Sequence, residues 1–417
     1  MEYTPEILTL NWSTVMLEDF RRILYGLLND VKSKPHRRYL YPELNLKNRL
    51  MGIVGARGVG KTTLMLQYIL DHFPTLQAQV LYFSADHIFF TQTSLVKFVQ
   101  QAYYDEKIEY FFIDEIHKYK NWDQELKNIY DSYPNIKIMF SGSSSIDLIK
   151  GTYDLSRRAI LKNLAGLSFR EYLNFSRGTN YPPIDAKDIL KHHQDLNERF
   201  LSIEQLKRDF NQYLERGYYP FVFMDEEGHY ERINQIVDKT IYEDIANFYK
   251  LKTENLHYLK KIIGYLSTIS PGEVNTNNLA RYLGIDNKTA FHYLHTLSEA
   301  GLVRLIYPKA AGNQLLRKVE KVFLNNTTLQ HAVNAQLASI IEKGTIRELF
   351  FIQSLQDAGI DVFYNKQGDF LALDTVFEIG GKNKKSHQIP ADGIVIKDDA
   401  LMSSQGVIPL YYWGFCY

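Results

Sequence analysis

The stretch Gly55-Ala56-Arg57-Gly58-Val59-Gly60-Lys61-Thr62 constrains this chain more than any other. Its three glycines let backbone amides wrap an anion, and a lysine and a hydroxyl follow at the mouth of a helix. The apolar run Leu50-Met51-Gly52-Ile53-Val54 precedes the loop. Thr63 to Leu70 reads as an apolar helix whose positive N-terminus points at the same place. Strand, loop and helix together form a Walker A pattern. It predicts that Gly55, Ala56, Arg57, Gly58, Val59, Gly60, Lys61, Thr62 and Thr63 hold the phosphates of ATP. Lys61 would reach the β and γ oxygens, and the Thr62 hydroxyl would bind magnesium.

A second apolar run, Tyr110-Phe111-Phe112-Ile113, ends in Asp114-Glu115. In a P-loop enzyme the first carboxylate holds magnesium through water and the second acts as general base on the attacking water. Asp114 and Glu115 are predicted in those roles, with ATP going to ADP. Further short runs are Val80 to Phe83, Ile136 to Phe140 and Ala159 to Leu161. Alternating with helices, they predict an α/β fold whose parallel sheet is covered on both faces. The run after Asp114-Glu115 leads into Ser141-Gly142-Ser143-Ser144-Ser145. A hydroxyl there, Ser143 for choice, is positioned to orient the lytic water, or the serines simply cap a turn. Asp154-Leu155-Ser156-Arg157-Arg158 comes next. Arg157 or Arg158 either reaches a neighbouring subunit's γ-phosphate, which implies a homo-oligomer, or is a plain surface pair.

The chain has 417 residues, enough for two or three domains at roughly 150 each. Its formal net charge is zero, so double-stranded DNA or any other polyanion must be held by a local patch. Cys416 is the single cysteine, which excludes an internal disulfide framework or a cysteine zinc cluster and suits a reducing compartment. The start lacks the basic-then-apolar pattern of a secretion signal, and no apolar run nears the roughly 20 residues of a membrane span. The expectation is a soluble cytoplasmic protein with no membrane partner.

Ser168-Phe169-Arg170-Glu171 is a capping box that opens a mostly helical stretch, broken at Gly217-Tyr218-Tyr219-Pro220. Asn277 to Ala290 reads as helix, glycine turn, helix, and Ala300 to Leu305 as the start of a hairpin. That is the pattern of a winged helix-turn-helix, whose second helix can enter a major groove. Lys288, His292 and Arg304 are the candidate DNA contacts, with Lys309, Arg317, Lys318 and Lys321 nearby, though such modules also dock proteins.

In the tail, Glu348 falls on a helix, Asp369 on one strand read over Gly368 to Leu373, and Glu378 on the next, read over Val376 to Lys382. This follows the plan of PD-(D/E)xK nucleases, in which carboxylates hold magnesium and a lysine steadies the attacking hydroxide. The lysine position holds Gly380, and Lys382 comes two residues late, about 6.6 Å further along a strand. A retired nuclease fold that binds without cutting is therefore expected. The aromatic ending Ile408 to Trp413 is expected to be a closing core strand.

The chain resembles the bacterial and archaeal AAA-type ATPases that carry a winged helix and a carboxy-terminal domain of unknown function with a restriction-nuclease-like fold. The residues carrying the likeness are Gly55 to Thr62, Phe112 to Ile116, Ser141 to Ser145, Asp154 to Arg158, Leu167-Ser168-Phe169-Arg170-Glu171-Tyr172-Leu173, and Gly217 to Pro220. The resemblance as a whole covers nearly the whole chain. The resemblance and the residues together give a P-loop AAA-type core at 1–166, a helical lid at 167–252, a winged helix-turn-helix at 253–310, and a PD-(D/E)xK-like domain at 311–417.

Two functions follow. One is an ATPase that drives or switches an interaction with DNA. The other is a nucleotide-dependent signalling switch whose winged helix and tail dock proteins. A small-molecule kinase fits poorly, because the chain has no acceptor-substrate motif and carries two appended domains.

Overall fold

A computed structural model describes residues 5–74, 79–143, 155, 157–224, 227–274, 276–309, 319–381 and 390–417, with backbone alone for 5–15 and 273. The predicted sites Ser144, Ser145, Asp154, Ser156, Arg317, Lys318 and Lys382 lie outside the described residues. The chain forms two compact units, residues 1–165 and 166–417.

In the first unit the elements run α1 (Pro5–Lys32), β1 (Leu50–Gly55), α2 (Lys61–His72), β2 (Val80–Ser84), α3 (Leu95–Glu106), β3 (Tyr110–Asp114), α4 (Trp122–Ser132), β4 (Lys137–Ser143) and β5 (Ala159–Asn163). The strands form a parallel sheet in the order β2-β3-β4-β1-β5. Short runs of Val, Ile, Leu and Phe make such strands because a parallel sheet buries both faces. Leu50, Leu81, Phe83, Phe111, Ile113, Ile138 and Phe140 form the core with Leu17 and Phe20 of α1. The order matters for chemistry: β4 lies between β1 and β3, so its C-terminal serines stand between the P-loop and the Asp114-Glu115 pair. In register, Ser143 is opposite Gly55 and Ser141 opposite Ile53.

The second unit begins at the predicted capping box. Ser168 Oγ accepts from Glu171 N–H at 3.1 Å, and Glu171 Oε2 accepts from Ser168 N–H at 3.2 Å. Helices α5 (Phe169–Arg177), α6 (Ala186–His192), α7 (Asn197–Leu201), α8 (Leu206–Arg216), α9 (His229–Lys239), α10 (Ala246–Tyr249), α11 (Thr253–Thr268), α12 (Thr276–Leu283) and α13 (Asn287–Glu299) follow. Then come β6 (Val303–Ile306), β7 (Lys321–Leu324), α14 (Thr327–Leu337), α15 (Lys343–Asp357) and strands β8 (Phe363–Tyr364), β9 (Phe370–Ala372), β10 (Thr375–Gly380), β11 (Ile394–Lys397) and β12 (Val407–Pro409).

The last five strands form a mixed sheet in the order β12-β11-β10-β9-β8. Its core joins Phe169, Phe210 and Tyr213 to Phe350, Phe351, Phe377 and Trp413, so the helices after residue 166 and the carboxy-terminal sheet share one interior. The aromatic ending does belong to the core, but the strand stops at Pro409 and Leu410–Phe415 coils into a 3₁₀ helix. Strands β6 and β7 pair antiparallel as one hairpin. The boundary expected at 310/311 falls between these paired strands, and Gln330 and Asn334 of α14 both donate to Ser267 O of α11 at 3.0 Å.

Candidate active site

The predicted loop opens at the C-terminal end of β1. Gly55 is required there because a Cβ would stand 2.3 Å from the Leu164 carbonyl oxygen. Gly60 has φ 97° and caps α2 in the left-handed region that favours glycine. Lys61 Nζ donates to Gly55 O at 2.8 Å and Ala56 O at 3.0 Å, which folds the ammonium back over the loop. Val59 is buried, Ala56, Arg57, Thr62 and Thr63 are half-buried, and Gly58 is exposed.

Thr62 begins α2, and its Oγ1 donates to Asp114 Oδ2 at 2.6 Å. Asp114 ends β3, almost wholly buried, and is met by further neutral donors. Tyr82 Oη donates to Oδ2 at 3.0 Å, Ser141 Oγ donates to Oδ1, and Glu115 N–H donates to Oδ1 at 3.1 Å. Burial and the neighbouring Asp114 charge push the Tyr82 phenol well up, so it stays a donor across the working pH range. Hydroxyl and amide donors let a carboxylate remain charged in a buried position without a permanent counter-ion.

Glu115 has φ 50° and ψ 38°, a left-handed conformation that is unusual for a residue with a side chain. It turns the chain sharply off β3 into the 3₁₀ turn Ile116–Lys118. The structure thus brings Lys61, Thr62, Asp114, Glu115 and the end of β4 together. Ser143 is buried, and its backbone N–H donates to His117 Nδ1 at 3.2 Å.

The two arginines differ. Arg158 makes a two-pronged pair with Asp131, Nε to Oδ1 at 2.8 Å and Nη2 to Oδ2 at 3.0 Å, whereas Arg157 is exposed. Sequence reasoning missed Tyr82, His117 and Arg38, and within the serine run it singled out Ser143, whereas Ser141 is the hydroxyl that meets Asp114. Arg38 is buried and donates to Val59 O in the loop and to Ala165 O at 2.8 Å, fixing the P-loop from behind. The Lys34 to Arg38 basic stretch and the Glu115-x-His117 spacing were the available signals.

Outside this centre, Lys288 and His292 are exposed on α13. Arg304 is not on the surface. It is buried and pairs with Asp357 at 2.8 Å, so the groove-facing role expected of it has no surface to act from. Lys309 pairs with Asp374 at 2.8 Å.

In the tail, Glu348 on α15, Asp369 before β9 and Glu378 on β10 come with a cation the sequence reading did not supply. Lys321 of β7 places its Nζ 2.7 Å from Glu348 Oε2 and 3.2 Å from Asp369 Oδ1. Asp369 Oδ2 also accepts from Ile379 N–H at 2.8 Å. Burial would lower the Lys321 pKa, but Glu348 and Asp369 outweigh it and hold the ammonium above its ordinary value. Among the described residues, no three His, Cys, Asp or Glu side chains are grouped so that they could hold a metal.

The fold and the site define a P-loop nucleotide-binding core beside helical and α/β parts. The model of an AAA domain family matches residues 47–173, and the model of a domain of unknown function, DUF8612, matches residues 207–339. The uncharacterized protein MJ1637 of Methanocaldococcus jannaschii is 28% identical over 393 residues, covering 85% of this chain and 82% of that protein. MJ1544 of the same organism is 24% identical over 390 residues, covering 88% and 82%. Among solved structures, AMPPCP-bound DnaA from Aquifex aeolicus matches at TM-score 0.26 and 16% identity, covering 67% of this chain and 88% of that one. PCH-2 of C. elegans matches at TM-score 0.24 and 17% identity, covering 66% and 68%.

Proposed function

We propose that this chain binds ATP with magnesium at the Gly55–Thr63 loop and hydrolyses it, with Glu115 as general base. The observation that carries this reading is the Thr62–Asp114 hydrogen bond of 2.6 Å, which joins the two halves of a P-loop site across β1, β4 and β3. The donor set fits the group: Thr62 and Asp114 offer a hydroxyl and a carboxylate, the hard oxygens magnesium takes. Magnesium, held by Thr62 and Asp114, would supply positive charge against the negative charge that develops on the phosphates. Lys61 exchanges backbone carbonyls for phosphate oxygens, Asp114 is held in place by its donors, and Glu115 takes the proton of the attacking water. Arg157, exposed and uncommitted to Asp131, is the arginine we assign to a neighbouring subunit's site in a homo-oligomer.

The test is titration calorimetry with ATP and magnesium. Lys61→Ala should weaken affinity at least about tenfold, or about 1.4 kcal/mol. Unchanged affinity in that variant would sink the site assignment.

Turnover would drive or switch a contact made by residues 253–310, read as a winged helix. On DNA, Lys288 and His292 would meet phosphates, and affinity would fall with salt at a log–log slope of about −0.9 per contact. The second reading, protein docking, gains from a specific observation: Arg304 and Lys321, two cations of the expected basic set, are spent on Asp357, Glu348 and Asp369. Absence of any duplex DNA binding at about 50 mM salt with ATP present would decide for docking. Among the described residues, no helix is long and apolar enough to cross a membrane.

A further inference from the structure

We infer that His117 is a positioning residue for the Glu115 carboxylate and ties that base to the end of β4. The inference rests on the ATPase reading above and deepens it.

The left-handed turn at Glu115 starts the local geometry. Lys118 N–H bonds back to Glu115 O at 2.9 Å and Tyr119 N–H to Ile116 O at 3.0 Å, closing a tight 3₁₀ turn. That turn carries His117 inward until its side chain is only 2% exposed. Its Nδ1 accepts the Ser143 backbone N–H at 3.2 Å. A ring nitrogen that accepts carries no proton, so the neutral imidazole must keep its proton on Nε2. Nε2 faces the buried Glu115 Oε2 at 3.4 Å, slightly long for a hydrogen bond and close enough to tighten into one.

The chain of contacts runs from the β4 backbone at Ser143, through an imidazole whose tautomer it selects, to the carboxylate that takes the proton. Ser143 stands opposite Gly55 of the P-loop in register, so the same backbone segment borders both the phosphate loop and the base's support. A base held only by its own flexible side chain would wander, and a misplacement of about 1 Å can cost about 10²-fold in rate. His117 removes that freedom while leaving the phosphate-binding groups untouched.

The test separates holding the base from holding the fold. His117→Asn keeps an acceptor for Ser143 N–H but cannot reach Glu115. His117→Gln places an amide donor near the position of Nε2. His117→Ala removes both. Turnover should fall by about 10²-fold in the Ala and Asn variants and recover to within about threefold of wild type in Gln. Affinity for a non-hydrolysable ATP analogue should stay within about twofold throughout. Wild-type turnover in His117→Ala overturns the inference, as does a Gln variant no better than Ala. Parallel loss of turnover and analogue affinity in all three also overturns it, by showing a merely structural role. These failures differ from failure of the underlying reading, in which the wild-type chain itself shows no ATP binding or Glu115→Gln turns over normally; that result sinks both.

Discussion

The molecule holds two buried acidic centres, each with a lysine, and they treat that lysine oppositely. In the P-loop centre, Lys61 donates to the carbonyls of Gly55 and Ala56, and Asp114 is surrounded by the neutral donors Thr62, Tyr82 and Ser141. In the tail centre, the Lys321 ammonium lies directly between Glu348 and Asp369. A carbonyl partner is exchanged for a phosphate oxygen at small cost, because both are acceptors for the same ammonium. A buried ammonium between two carboxylates is already neutralised, and removing either side leaves uncompensated charge. The first arrangement fits the proposed binding of an anion and a cation together. In the second, a side-chain ammonium already lies between the carboxylates.

The strongest way to sharpen this contrast is to ask whether the first centre is completed from outside. Arg157→Ala should lower hydrolysis by about 10³–10⁵, the usual worth of an arginine acting across subunits. Arg158→Ala should have a far smaller effect, since Arg158 is committed to Asp131. Mixing Arg157→Ala with Lys61→Ala chains should partly restore activity. Specific activity that stays flat on dilution would instead describe a self-contained monomer.

Next in size is the base itself. Glu115→Gln should cut phosphate release by about 10²–10⁴-fold while ATP binding persists. Lys321→Met should leave phosphate release near wild type. If the Lys321 variant loses turnover as fully as Glu115→Gln, the two centres are not separate in function and the contrast fails.

Legibility divides along the same line. The P-loop residues were readable because phosphate binding dictates a local order of glycines, lysine and hydroxyl, and because Asp114-Glu115 sits at a strand end. Tyr82, His117 and the role of Ser141 on Asp114 were not, since they reach Asp114 and Glu115 only through the lateral order β2-β3-β4 and a left-handed turn at a glutamate. The sequence points to Lys382, two residues past Gly380, which lies outside the described residues. The cation described between Glu348 and Asp369 comes from β7, where a lysine ahead of Val322-Phe323-Leu324 reads as one more basic residue beside the helix-turn-helix. Similarly, the β9–β10 turn uses Leu373 at φ 49° and Asp374 at φ 58°, without the Asn-Gly pair that announces such turns.

Lys321→Met should destabilise the second unit by about 2–4 kcal/mol, less than a fully dry pair because Glu348 and Asp369 are 21% and 18% exposed. The sign of the pH dependence follows from the raised Lys321 pKa. Its stabilisation is fully present below the unfolded value of about 10.4 and is lost as pH rises through the higher folded value. Denaturant melts of wild type and variant should therefore differ by a constant amount from about pH 7 to 10 and converge above it. A gap that already closes near neutrality would mean that the ammonium is not what neutralises the carboxylates.

The smallest effect tests the claim that Asp114 is held by interchangeable neutral donors. Tyr82→Phe removes one hydroxyl from Asp114 Oδ2 and leaves Thr62 Oγ1 on the same oxygen, with Ser141 and the Glu115 amide on the other. A hydrogen bond to a charged group is worth about 1.5–3 kcal/mol, and the loss here should fall below that range because the carboxylate keeps three donors. We expect about 1 kcal/mol, read as roughly fivefold faster hydrogen exchange of the β3 amides from Tyr110 to Asp114. The same variant should raise the magnesium concentration needed for half-maximal ATP binding by no more than a few fold, since the donors that remain still orient Asp114 beside Thr62. A loss of several kcal/mol would show that Tyr82 is indispensable to the buried charge. The P-loop centre would then depend on one fixed partner, as the tail centre depends on Lys321.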